Sequence, residues 1–204
     1  IEQRFNDNVL PFLDPDGLRL ELVATTEIDS RTPVPSTEIP AEYALRGFHS
    51  STLALTDSEA TASVLTTTMG YRLQSKSDHR ARYTVATGGP GTYVDLLTDP
   101  ALPRGLNGAG TIHHVAFRVP DDQAQIAARG RIIKDGLQVS PVIDRAYFKS
   151  IYYREPGGIL FEIATDQPGF AIDEPVETLG TKLSLPSHLE PRRAAIEAGL
   201  PEIN

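Results

Sequence analysis

The chain has 204 residues, 40% of them hydrophobic, a formal charge of −8 and no cysteine. Its length suits one full domain or two small, closely packed modules with a sizeable core. The acidic balance speaks against nucleic acid or an anionic membrane surface as the main partner, and the missing thiols exclude disulfides, zinc–thiolate sites and cysteine nucleophiles.

No apolar run approaches the ~20 residues of a membrane span, and no basic-then-apolar signal pattern opens the chain. A cytoplasmic protein with small-molecule partners is expected, and imidazole and carboxylate are the metal ligands left to it. The first residue is Ile1 and the single methionine is Met69, from which a piece of a longer polypeptide is expected.

Residues 9–24 read as strand, turn and strand: Asp14 to Gly17 is turn sequence, and Leu18, Leu20 and Leu22 alternate with Arg19, Glu21 and Val23. Residues 25–44 are polar and carry Pro33, Pro35 and Pro40, a surface connection. In residues 45–100, RGFHSSTLALTD reads as a strand, SEATASVLTTTMG as a helix closed by Gly70, and YRLQSKS, ARYTVAT and GTYVDLLT as three strands. Residues 101–166, entered through Pro103-Arg104-Gly105, repeat that order. TIHHVAFRVP is a strand, DDQAQIAARGRIIKDG a helix closed by Gly136, and LQVSPVI, AYFKSIYYRE and GILFEIAT are strands. Residues 167–204 form a Pro/Gly-rich tail with a short helix over 190–199. The expected fold class is α+β, with tandem βαβββ modules forming curved mixed sheets.

The two units align end to end. His49 falls on His113, Ser50 on His114 and Asp95 on Glu162; the opening segment repeats the closing strand, placing Glu21 with Glu162 as well. Strand alternation puts His114, Ala116 and Arg118 on one face, and His113, Val115, Phe117 and Val119 on the apolar other. Glu162 shares a face with Leu160 and Ala164. His114 and Glu162 therefore look into the concave side of the sheet, where a pocket can form, while His113 is expected to be a buried, hydrogen-bonded neighbour and His49 structural. Tyr152 lies on a face with Phe148 and Ser150. Arg145 is out of parity with Tyr152, so only a bend near Asp144 brings both to one place.

The motifs HHVAFRVPDD and EPGGILFEIATD, opening and closing a βαβββ unit, resemble the vicinal oxygen chelate (glyoxalase/bleomycin resistance/extradiol dioxygenase) superfamily. More narrowly, DRAYFKSIYYREPGGILFEIATDQPGF and the tail DEPVETLGTKLSLPSHLEPRR resemble hydroquinone-type ring-cleaving dioxygenases, over nearly the whole chain. The resemblance implies an Fe(II)-dependent extradiol-type dioxygenase acting on hydroquinone or catechol-like aromatics and O2. Its metal ligands fall on His114 and Glu162, an acid/base residue on His113, and pocket residues on Tyr152 and Arg145. Mn(II) or another divalent ion is the alternative metal. Many related enzymes take a further His from the position held here by Ser50, a poor ligand for Fe(II); the third ligand is expected upstream of Ile1. A homo-oligomer is compatible with this reading. Two other readings stand beside it, a glyoxalase-like metal-dependent lyase or isomerase and a metal-free small-molecule binding module.

Overall fold

A computed structural model describes residues 1–103, 105–106 and 108–201. Arg104, in the expected junction between the two units, and residues 202–204 of the tail lie outside the described residues. Among the described residues eleven strands form three sheets. The first is antiparallel: β1 (Glu2–Arg4), β2 (Asp7–Leu13) and β3 (Arg19–Ala24). The second joins β4 (Ser50–Leu55), β5 (Arg72–Lys76), β6 (Arg80–Thr84) and β7 (Tyr93–Thr98) in the order β4-β7-β6-β5. The third joins β8 (Val115–Val119), β9 (Ile143–Asp144), β10 (Lys149–Arg154) and β11 (Leu160–Thr165) in the order β8-β11-β10-β9.

In each four-stranded sheet the first strand runs parallel to the last, β4 beside β7 and β8 beside β11, while the other pairs are antiparallel. A parallel pair needs a crossover, and each unit supplies one as a helix. The first crossover is α1 (Glu59–Ser63), continued by a π-helical turn over Val64–Thr68. The threonines explain that widening. Thr66 and Thr67 donate their hydroxyls to the carbonyls of Ala62 and Ser63, at 2.9 and 2.6 Å, and so compete with the regular helical ladder. The second crossover, α2 (Asp122–Lys134), starts on the Asp121 side chain, which accepts from the Ala124 amide at 2.9 Å. A short α3 (Arg193–Glu197) lies in the tail. This is the α+β arrangement of mixed sheets that the sequence leads one to expect.

One core serves both units. Leu53, Leu55, Val64, Leu65, Tyr83, Val94 and Leu96 of the first pack with Ala128, Ile132, Ile151, Tyr153, Phe161 and Ile163 of the second. These are the alternate positions of their strands, so the intervening residues, among them Asp95, Ser150 and Glu162, must look the other way.

Registers match between the units. Asp95 lies opposite Thr52 on one side and Arg82 on the other; Glu162 lies opposite Ala116 and Tyr152. The alignment of Asp95 with Glu162 thus holds in space. Two expectations fail. LQVSPVI is not a continuous strand: it contributes an isolated bridge at Val139 and the two residues of β9, because Pro141 withholds an amide from the ladder. The strand after Thr111 begins at Val115, so both histidines precede the ladder.

Candidate metal centre

Leaving the ladder at Val115 lets His114 turn its ring back over β11. Its Nε2 stands 2.7 Å from Glu162 Oε2. The histidine side chain is 33% exposed and the carboxylate 4%, so the pair closes one end of a buried polar patch. A buried carboxylate is costly without partners. Glu162 has a second one: the hydroxyl of buried Ser150, on the neighbouring strand, donates to Oε1 in a short hydrogen bond.

His113 does not sit where alternation put it. It is exposed rather than buried, and its Nδ1 lies 2.9 Å from His114 Nδ1, the rings meeting edge to face. The parity rule failed because it holds only inside a ladder. Of two facing ring nitrogens one donates and the other accepts, so His113 and His114 share a proton along this line. A ring whose far nitrogen is hydrogen-bonded in this way is held in one tautomer and orientation.

Tyr152, directly across from Glu162, also meets the His114 ring edge to face at 5.7 Å. Arg145 joins it despite the parity mismatch. The chain reverses between β9 and β10, with the Arg145 amide donating to the Phe148 carbonyl at 2.9 Å and Ala146 at φ +65°. That turn brings Arg145 Nη2 to 3.4 Å from the Tyr152 hydroxyl and its guanidinium to 5.6 Å from the ring centroid. The tail braces the turn: Phe170 stacks on Tyr147 at 5.3 Å, and the Tyr147 hydroxyl donates to Asp173 at 2.8 Å. All five expected residues therefore gather around one point. Ser150 was not among them, although it shares a strand face with Tyr152, the signal that could have found it.

The donors fit a metal in part. Two atoms bound side by side on one ion at about 2.1 Å each stand roughly 3 Å apart, close to the separation of His114 Nε2 and Glu162 Oε2. Imidazole with one carboxylate suits iron or a similar divalent ion. Among the described residues no group of three His, Asp or Glu side chains converges to complete a set. Two surface clefts, one in the tail and one beside Glu27 and Gln74, share no residue with the pair.

At the equivalent place in the first unit the chemistry is different. Arg82 donates to both oxygens of Asp95, at 2.8 and 3.1 Å, and to Asp7 of β2 at 2.5 Å. All three side chains are buried. His49 lies beside them, its Nε2 without a hydrogen-bond partner among the described residues. Burial, and then the Arg82 charge, hold its pKa below the usual histidine value. The guanidinium thus engages both oxygens of the carboxylate that corresponds to Glu162.

Comparison with known proteins agrees with this architecture. The chain is 44% identical over 198 residues to "Putative ring-cleaving dioxygenase MhqO" of Bacillus subtilis (strain 168), covering 97% of the chain and 62% of that protein. It is 34% identical over 196 residues to the chlorohydroquinone/hydroquinone 1,2-dioxygenase of Sphingobium indicum, covering 93% of the chain and 60% of that protein. The crystal structure of a "putative dioxygenase" from Bacillus subtilis superposes with a TM-score of 0.92 at 42% identity, over 100% of the chain and 64% of that structure's chain. The chain thus spans somewhat under two thirds of the length of these relatives. A family signature matches residues 47–163, from β4 into β11 and with the pair His114 and Glu162 included, and by it the chain belongs to the Glyoxalase/Bleomycin resistance protein/Dioxygenase superfamily.

Proposed function

We propose that this chain carries the metal-binding part of an Fe(II)-dependent extradiol-type dioxygenase that opens hydroquinone or catechol-like rings with O2. The observation that carries the reading is the approach of His114 Nε2 to Glu162 Oε2 at 2.7 Å on a buried polar face. The names of the relatives, ring-cleaving and hydroquinone dioxygenases, supply the substrate class. We assign the third ligand to a donor from outside the described residues, and divide the chain at residues 1–44, 45–100, 101–166 and 167–204.

His114 Nε2 and Glu162 Oε2 would hold the ion, Fe(II) or alternatively Mn(II). When bound, the metal supplies the open coordination positions and the redox path to O2 that ring cleavage needs. With His114 Nε2 committed to the metal, the one ring proton of neutral His114 sits on Nδ1 and is donated to His113 Nδ1. Neutral His113, exposed at the rim, then carries its own proton on Nε2 and is placed to donate it to an oxygen of the substrate. Arg145 and Tyr152 orient the ring: the guanidinium complements a phenolate or an anionic substituent, and the tyrosine hydroxyl offers a directional contact. Both atoms of O2 end in the ring-opened product, so no other reductant is consumed.

Oxygen uptake by the full-length protein, loaded anaerobically with Fe(II) and given substituted hydroquinones, tests this. One O2 consumed per ring opened, lost in His114→Ala and Glu162→Gln, is expected. Turnover without O2 overturns the reading in favour of a lyase or isomerase, and absence of bound metal in native protein in favour of a binding module.

A further inference from the structure

Glu162 and Asp95 occupy the same place in two copies of one fold, yet their neighbours differ in charge. Across from Asp95, β6 presents two cations on the same face, Arg82 and Arg80, the latter 3.4 Å from Asp95 Oδ2. The register positions of these two are held in the third sheet by Tyr152 and Ser150. Ser150 is fully buried, and its hydroxyl points at Glu162 Oε1. The carboxylate is thereby fixed through one oxygen without being neutralised. Its other oxygen, Oε2, faces His114.

We propose that Ser150 is a positioning residue for the Glu162 carboxylate: its hydroxyl occupies Oε1 and so presents Oε2 alone toward His114 as a single-oxygen metal ligand. The inference rests on the metal-centre reading above. A glutamate has three side-chain torsions, and a carboxylate free at both oxygens can turn or bind through both. A buried donor on an adjacent strand removes that freedom before any metal arrives. The contrast with Arg80 and Arg82 gives the second half of the argument. A neutral donor orients the carboxylate while leaving its full negative charge for a cation, whereas the arginines of the first unit consume it.

The test is Mn(II) affinity of the full-length protein, read from the free-ion electron paramagnetic resonance signal in a titration, with circular dichroism to follow the fold. Ser150→Ala is expected to bind about ten- to hundredfold more weakly with an unchanged spectrum. Ser150→Thr, which keeps the hydroxyl, should stay near the wild type. Equal weakening in the Ala and Thr variants, or Ser150→Ala affinity within about twofold of wild type while His114→Ala binds no Mn(II), overturns the role of Ser150. If Ser150→Ala does not fold, Ser150→Gly, which also removes the hydroxyl and adds no volume, replaces it, and wild-type affinity in that variant overturns the role equally. Undiminished Mn(II) binding by His114→Ala instead overturns the metal centre on which the inference rests.

Discussion

Arg82 faces Asp95 across neighbouring strands and donates to both of its oxygens, so that a guanidinium stands in the first unit where the second holds the ring of Tyr152. A third donation, to Asp7, ties the first sheet to the second. Removing the cation would leave buried Asp7 without its guanidinium and buried Asp95 with Arg80 alone, at 3.4 Å. Arg82→Ala is expected to lower unfolding free energy by about 3–5 kcal/mol, measured by urea denaturation. Arg82→Lys should recover only part of this, because an ammonium cannot address two carboxylates with a planar fork. A cost under about 1 kcal/mol for Arg82→Ala would mean that the network is better solvated than its burial implies.

His49 makes stability depend on pH. The groups facing it are Asp7 from β2, Arg82 from β6, Asp95 from β7, Glu27 from the connection, and its neighbours Ser50 and Tyr93. Burial and Arg82 outweigh the carboxylates and lower its pKa below 6.5. The unfolded chain therefore takes up a proton at a higher pH than the folded one. Stability is fully present above the unfolded value and is lost as pH falls through it toward the lowered folded value. Melting temperatures between about pH 7.5 and 5 should drop less steeply in His49→Gln than in wild type; parallel curves would remove His49 from the account.

Much of the frame was legible from residues alone. The repeat alignment put Ser50 with His114 and Asp95 with Glu162, and the sheet registers place the two carboxylates so, because core alternation at Val94 and Leu96, and at Phe161 and Ile163, leaves the polar residues only one face. What alternation cannot say is where a ladder starts. His113 was misplaced for that reason, and LQVSPVI was read as a strand although Pro141 interrupts its hydrogen bonding. The meeting of Arg145 with Tyr152 depends on a turn with Ala146 at positive φ, a conformation no alanine advertises. The cation network of Asp7, Arg82 and Asp95 joins residues 75 and 13 positions apart and needed tertiary structure to be seen.

Arg145 and Tyr152 divide substrate handling in the proposed reaction. Arg145→Gln removes a charge that reaches the site through the β9–β10 turn, and should raise KM with kcat nearly constant. A loss of about ten- to hundredfold in kcat/KM corresponds to one charge-assisted hydrogen bond. Tyr152→Phe keeps the ring against His114 and should cost less. Initial rates across a series of hydroquinones, with and without an anionic substituent, separate the two: an Arg145→Gln effect equal for both classes would show that the guanidinium does not read substrate charge.

Gly157 shows why the EPGG motif has the form it does. Buried Glu155 accepts from the Gly157 and Ile159 amides, each at 2.8 Å, and from the Thr61 hydroxyl of α1 at 2.7 Å, closing the turn before β11 and fastening it to the helix of the other unit. A Cβ at Gly157 would lie 2.4 Å from Thr61 Oγ1 and 2.8 Å from Leu55 Cδ2, closer than atoms can pack. Gly157→Ala must therefore push the turn away from α1, at an expected cost of about 1–3 kcal/mol. Thr61→Ala leaves Glu155 one donor short and is destabilising by itself, but it also removes the closest clash. The double variant should thus be less unstable than the two single costs added together, the mark of residues in direct contact. Chemical denaturation of the three variants measures that coupling, and simple additivity would place the strain of Gly157→Ala elsewhere than against α1.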